Sequence, residues 1–290
     1  MDQIFTAITS TANALAKMVN ATHVFVISDM PCNKVPFDVP ATFITTSSLA
    51  KGVSEELRDF LREGGARTFK ASIIAPALND FALVQDLATA AYIDDILDGG
   101  YVLGVLCLSE LSSIVVCDVK QLATVKTIDK TGERVDPTVL KAVLRLALEL
   151  GREGREGKKV GTAFIIGDTN EVLNRSHQLI LNPYKGHSED TRDVKNRSHW
   201  ETIKEFAQID GVFVVDEKGV IISAGRYLDV NTKSIELEGF GGRHMSALAV
   251  TRETQAIAVT VSESGGTVRL FKDGIETKIE SSADLLLLLT

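Results

Sequence analysis

Thr11 to Ser28 reads TANALAKMVNATHVFVIS, and the hydrophobic pattern changes within it. Up to Asn20 the apolar residues Ile4, Phe5, Ile8, Ala12, Leu15, Ala16 and Val19 recur at helical spacing, which predicts an amphipathic helix over 2–20. His23 to Ser28 (HVFVIS) is an unbroken β-branched and aromatic run, which predicts a buried strand. The alternation continues outward. A strand is expected at 41–45, a helix at 54–62 ended by Gly64-Gly65, a strand at 72–74 and a helix at 81–91. Short apolar runs follow at 101–108 and 113–117. Helices alternating with buried strands predict an α/β layered domain.

Around 124–136 the composition turns polar (TVKTIDKTGERVD), and the domain boundary is expected there, dividing the chain into 1–125 and 126–290. Asp136 is a good N-cap and Pro137 a good first helical residue. The predicted helix runs over 137–150 with Gly151 as its stop, and GREGREGKK is read as a solvated link to a strand at 160–166. The segment 169–195 has little periodicity and is expected to be a long loop or broken helix. Ser198 and Glu201 fit a capping box for a helix over 200–209. Asp216-Glu217-Lys218-Gly219 is a hairpin signal between strands at 212–215 and 220–223. Glycines at 239–242 precede a helix at 243–251. Strands at 256–261 and 267–272 complete the pattern, with turns at Ser264-Gly265-Gly266 and Asp273-Gly274.

The length of 290 residues suits two domains of roughly 150 residues each. Charged residues at 24% and only 6 prolines argue against a disordered chain. A net charge of -8 disfavours a general nucleic-acid binder, which needs a basic face. A small anionic ligand remains compatible, because a pocket can be positive on an acidic protein. Cys32, Cys107 and Cys117 form no CxxC pair, so neither a disulfide framework nor a structural zinc site is expected. The chain start lacks the basic, then apolar, pattern of a signal peptide. The longest apolar run, Leu285 to Leu289, falls far short of the about 20 residues of a membrane span. A cytoplasmic protein without a membrane segment is the expectation.

Three constellations carry possible chemistry. In Gly239-Phe240-Gly241-Gly242-Arg243-His244, glycines before a helix start let a phosphate approach unpaired N–H groups. Arg243 adds a fixed positive fork, and His244 can move a proton or ligate a metal. A Gly-rich turn with a surface arginine is the competing reading. Asp210-Gly211 can place a carboxylate at a strand start, for Mg²⁺ or Mn²⁺ or to deprotonate a hydroxyl, or can simply stabilise a turn. Ser262-Glu263-Ser264-Gly265-Gly266 is either a ligand rim or a hairpin tip. His23, His177, His187 and His199 lack partners at ligand spacing, Trp200 reads as core, and Lys158-Lys159 as a solvated strand start.

In this order the motifs resemble the diadenylate cyclase family over 157–274. The matching elements are Gly157-Lys158-Lys159-Val160-Gly161, Asp210-Gly211-Val212, Ala224-Gly225-Arg226-Tyr227-Leu228, Gly241-Gly242-Arg243-His244-Met245 and Val261-Ser262-Glu263-Ser264-Gly265-Gly266. Three positions depart from the family pattern: Val212 replaces an alanine, Gly242 a threonine and Met245 an arginine. The front of the chain, to about Thr124, more faintly resembles the pyruvate kinase C-terminal domain, as in the soluble archaeal branch of the family. The resemblance implies an α/β catalytic domain with a mixed central sheet.

The resemblance also implies that two ATP molecules are condensed into cyclic di-AMP and two pyrophosphates. Each 3′-hydroxyl attacks the α-phosphate of the other nucleotide, so a homo-oligomer with facing catalytic domains is implied. Asp210, Gly211, Arg243 and His244 would be catalytic. Leu228, Gly225, Gly242, Ser262 and Glu263 would bind nucleotide, and Asp210 and His244 would hold Mn²⁺ or Mg²⁺. Two rival readings remain: a catalytically weak nucleotide-sensing regulator, motivated by Gly242 and Met245, and an effector-binding protein acting through its N-terminal domain. For the latter, Thr45-Thr46-Ser47-Ser48 is the only hydroxyl cluster at hand.

Overall fold

The computed structural model describes residues 2–28, 35–45, 80–108, 112–232 and 241–279. The helix expected at 54–62 and its Gly64-Gly65 end, the strand at 72–74, Cys32, residues 46–48, Gly239, Phe240 and the 285–289 run lie outside the described residues. The chain divides into two compact units, one running to Val125 and the next starting at Lys126.

In the first unit, α1 (Asp2–Met18) leads into β1 (His23–Ser28), followed by β2 (Ala41–Thr45), α2 (Asp80–Ile93), β3 (Tyr101–Cys107) and β4 (Ser112–Asp118). The sheet order is β2-β1-β3-β4, with β1 parallel to β2 and β3, and β4 antiparallel to β3. Ala12 and Ala16 of α1 pack on Val24, Val26, Leu103 and Val105. On β3, a Cβ at Gly104 would lie 2.1 Å from the Val84 side chain of α2, so the missing side chain is what lets that helix settle on the strand. Every residue of β1 is buried, as in parallel strands covered on both faces.

The polar stretch around the expected boundary contains α3 (Ala123–Thr131). Its Val125, Ile128 and Thr131 are buried at three-residue spacing, enough to seat an otherwise polar helix. The second unit continues with α4 (Pro137–Glu153), β5 (Thr162–Ile166), α5 (Thr169–Asn174), β6 (Ser176–Gln178), α6 (Glu189–Arg192) and α7 (Trp200–Phe206). It then runs through β7 (Val212–Val215), β8 (Ile221–Leu228), α8 (Gly242–Glu253), β9 (Ile257–Val261), β10 (Val268–Lys272) and β11 (Ile275–Ile279). The seven-stranded sheet has the order β11-β10-β9-β5-β7-β8-β6. Only β5 and β7 run parallel; the other pairs are antiparallel, so the sheet is mixed. Ala247, Leu248 and Val250 of α8 pack on Ala163, Ile165, Val212, Val214 and Ala258. The Phe164 and Phe213 rings stack at 4.8 Å between neighbouring strands.

Helix α4 starts as its cap chemistry requires: Asp136 accepts from the Thr138 backbone N–H, and Pro137 opens the helix. It does not stop at Gly151. It continues to Glu153 and closes on Gly154, whose φ is +64°. Gly151 serves a close approach instead: a Cβ there would lie 2.2 Å from the Gly266 carbonyl oxygen. The loop that follows β9 is thereby seated directly on α4.

Two further expectations are corrected. The segment 169–195 holds α5, β6 and α6, because β6 finds its partner in β8, with His177 opposite Tyr227. Ser198 and Glu201 make no capping box. Asn196 Oδ1 accepts from the Ser198 backbone N–H, and Glu201 pairs with Arg155 and Lys204. Lys204, whose side chain is buried, is also paired with Glu149, so burial of this cation is offset by carboxylates from α4 and α7. Trp200 is buried and donates its indole N–H to the Val194 carbonyl.

Candidate active site

The turn between α7 and β7 presents Asp210 at the C-terminal end of the helix, with its carboxylate 87% exposed. The next residue, Gly211, sits at φ +102° with its backbone pressed against β8. That contact directs Asp210 toward the first turn of α8. There Arg243 donates to Asp210 Oδ1 at 3.1 Å and reaches the Gly211 carbonyl at 3.4 Å. Three sequence-expected residues thus meet at one corner.

The corner forms a wall common to two cavities. The larger, about 440 Å³, is walled by Leu179, Tyr227, Leu228, Gly242 and Met245 besides the corner itself. The smaller, about 230 Å³, contains Lys158, Lys159, Gly161 and Glu263 and shares Asp210 and Arg243 with the first. The larger chamber is mainly apolar and suits a flat heterocycle. The smaller is charged in both signs and suits phosphate together with a cation.

The other expected residues lie at differing distances from this corner. Leu228 is buried and forms part of the larger cavity's wall. Gly225 is outside both walls; its carbonyl accepts from the Leu179 N–H and so holds Leu179 in place. Glu263 enters the smaller cavity, and its carboxylate has no partner among the described residues. Ser262 bonds to Ser264 and anchors the tight turn that ends at Gly266. His244 is buried and lies outside both walls, with Nε2 3.3 Å from the Arg269 guanidinium. An arginine can only donate, so Nε2 accepts and the neutral ring carries its proton on Nδ1. Burial, then the positive charges of Arg269 and Arg243, pull the His244 pKa down to about 4, so the ring is neutral near pH 7.

Sequence reasoning missed several residues of the larger cavity, Tyr227 and Arg226 among them. Tyr227 is half exposed there, with its ring 5.3 Å from that of His177, which is paired with Asp229. Arg226 is pinned by the Ser176 hydroxyl and by the carbonyls of Ser176 and Leu173. Its guanidinium has no carboxylate within ion-pair distance among the described residues, and burial lowers its pKa. The only hint in the sequence was its place between Gly225 and Tyr227 in the motif. All three departures from the family pattern, Val212, Gly242 and Met245, lie in the wall of this same cavity.

Comparison with known proteins bears on this arrangement. Residues 149–275 match the family model described as DisA bacterial checkpoint controller nucleotide-binding. A curated diadenylate cyclase of Methanocaldococcus jannaschii is 44% identical over 168 residues, covering 57% of this chain and 53% of that protein. Residues 149–275 are thus similar to the diadenylate cyclase family.

A second diadenylate cyclase, from Haloferax volcanii, is 42% identical over 145 residues, covering 49% of this chain and 52% of its own. The chain thus matches about half the length of these curated cyclases. Residues 7–120 match a model described as Probable sensor domain DacZ_A. Among solved structures, DacA from Staphylococcus aureus aligns with a TM-score of 0.33 at 17% identity, over 52% of this chain and 92% of that one. The cyclase-family match contains the Asp210–Arg243 corner and residues of both cavities. Among the described residues, no helix is long and apolar enough to cross a membrane.

Proposed function

We propose that the protein condenses two ATP molecules into cyclic di-AMP with release of two pyrophosphates. The observation that carries this reading is the Asp210–Arg243 pair at the junction of an apolar and a charged cavity. The adenosine of one ATP occupies the larger cavity, with its base against Leu228. Its α-phosphate lies at the junction, held by Arg243 and by the free N–H groups at the start of α8. Asp210, almost wholly exposed, accepts the proton of an incoming 3′-hydroxyl. Gly211 sets the corner geometry. Gly225 acts through Leu179, and His244 through its buried place within the first turn of α8.

A hydroxyl held in the same subunit's cavity cannot reach its own α-phosphate in the geometry that joins two nucleotides. The attacking ribose comes from a second copy whose cavity faces this one, and holding both nucleotides in register supplies much of the rate. Asp210 and Glu263 are oxygen donors suited to Mg²⁺ or Mn²⁺. No group of three metal-ligating side chains occurs among the described residues, so such an ion would complete its shell with water and phosphate oxygens. Bound there, it offsets phosphate charge. His244 was expected as a further ligand, but its Nε2 would first have to leave Arg269.

The front unit reads a signal in this account, as the sensor description of its matching model supports. Its likeness to the pyruvate kinase C-terminal domain is part of the same proposal. The reading as a catalytically weak nucleotide sensor rests on Gly242 and Met245, which leave the larger cavity without a hydroxyl and a charge that the family pattern has there. Specific activity against protein concentration tests the facing-sites mechanism. It is expected to fall as dilution splits the assembly, in step with the monomer fraction measured by sedimentation. Full activity in a sample that sediments wholly as monomer contradicts the mechanism.

A further inference from the structure

The smaller cavity holds two lysines in different states. Lys159 turns back onto α4, where its ammonium donates to the carbonyls of Gly151 and Arg152. It satisfies the carbonyl end of that helix and is already occupied. Lys158 is exposed, and its ammonium has no hydrogen-bond or ion-pair partner among the described residues. Its backbone is nevertheless held firmly. Arg155 and Lys158 exchange both backbone hydrogen bonds, at 2.8 and 2.9 Å, across a two-residue turn. Glu156 and Gly157 at its tip have φ of +49° and +75°, the left-handed conformation of a tight hairpin turn. Arg155 is anchored in turn to Glu201 and Glu205 of α7. A free cation on a fixed turn therefore faces the chamber beyond Asp210 and Arg243.

We propose that Lys158 binds the leaving pyrophosphate. The inference rests on the cyclase reading and extends it to the other end of the substrate. With the adenosine in the larger cavity and the α-phosphate at the junction, the β- and γ-phosphates extend into the smaller one. The incoming 3′-oxygen forms a bond to the α-phosphorus, and the bond from that phosphorus to the oxygen bridging to the β-phosphate breaks. The bonding pair leaves with pyrophosphate, and the hydroxyl proton passes to Asp210. Negative charge therefore grows on the leaving group during the step. Lys158 and Arg243 meet that charge from two sides, and Asp210 and Glu263 balance the cations while the cavity is empty. Gly161 makes room for this arrangement: a Cβ there would lie 2.9 Å from the Glu263 side chain.

The test titrates full-length wild type, Lys158→Ala and Lys158→Arg with inorganic pyrophosphate plus Mg²⁺ and, separately, with AMP. AMP reports the larger cavity and the junction; pyrophosphate reports the smaller chamber. Loss of one charge-assisted contact at an exposed site is expected to weaken pyrophosphate binding roughly tenfold in Lys158→Ala. AMP binding should stay within about twofold, and Lys158→Arg should restore most of the pyrophosphate affinity. Unchanged pyrophosphate affinity in Lys158→Ala, or equal losses for both probes, overturns the proposal. So does wild type that binds no pyrophosphate. The cyclase reading fails separately, if wild type yields no cyclic dinucleotide from ATP while Lys158 still governs pyrophosphate binding.

Discussion

Asp210→Asn is expected to lose cyclisation by about 10²- to 10⁴-fold, the range for removal of a positioned general base. Stability should barely move. The Asp210 carboxylate is 87% exposed and its pair with Arg243 lies at the surface, where such pairs contribute about 0–1 kcal/mol. The asparagine keeps the size of the side chain and a hydrogen-bond acceptor for Arg243, but it cannot take up the proton of the hydroxyl. Its Oδ1 still accepts from Arg243 and still offers an oxygen to a cation, so KM for ATP should change far less than kcat. That split separates a lost chemical step from a lost binding site. A variant that folds normally and makes cyclic dinucleotide at the wild-type rate removes Asp210 from the mechanism.

Gly211→Ala should damage both the fold and the activity. The backbone there has φ +102°, which an L side chain adopts only under strain of about 1–3 kcal/mol. The added methyl would also lie 2.6 Å from the Arg226 carbonyl oxygen and 2.7 Å from the Arg226 nitrogen and the Gly225 carbonyl carbon. These are backbone atoms of a paired strand, so β7 must move away from β8. Strain and overpacking together are expected to cost about 3 kcal/mol or more, a melting temperature lower by roughly 6–12 °C. The Asp210 carboxylate moves with the corner, and misplacement by about 1 Å is enough for a loss of about 100-fold in rate. Gly242→Ala is the stability control, because its Cβ would meet nothing within 4 Å and its φ is not positive. A Gly211→Ala protein with wild-type melting and turnover would contradict the corner geometry.

Local chemistry was legible in the sequence, and remote contacts were not. Asp136 and Pro137 announce the start of α4 because capping involves only neighbouring atoms. Gly151 looked like the stop of that helix because its partner, the Gly266 backbone, is more than a hundred residues away. The motif at Ser198 and Glu201 was present, yet Asn196 took the cap and Lys204 and Arg155 drew Glu201 elsewhere. Strand β6 is three residues long and exists through its pairing with β8, which no local period reveals.

The site divides in the same way. Asp210, Gly211 and Arg243 could be named from motif order, and the fold brings them within hydrogen-bond reach. Arg226 drew no attention because its partners, at Leu173 and Ser176, come from elements unseen in the sequence. Lys158 and Lys159 looked equivalent, and only the carbonyls at the end of α4 tell them apart. The net charge of -8 posed a puzzle for a strongly anionic substrate. The answer is local: Lys158, Lys159 and Arg243 outnumber Asp210 and Glu263 in the smaller cavity.

The most direct test incubates the full-length protein with ATP and Mn²⁺ and separates the products by mass. The account predicts cyclic di-AMP accompanied by two pyrophosphates for each molecule formed. Unreacted ATP, or ADP or AMP as the end product, would contradict it.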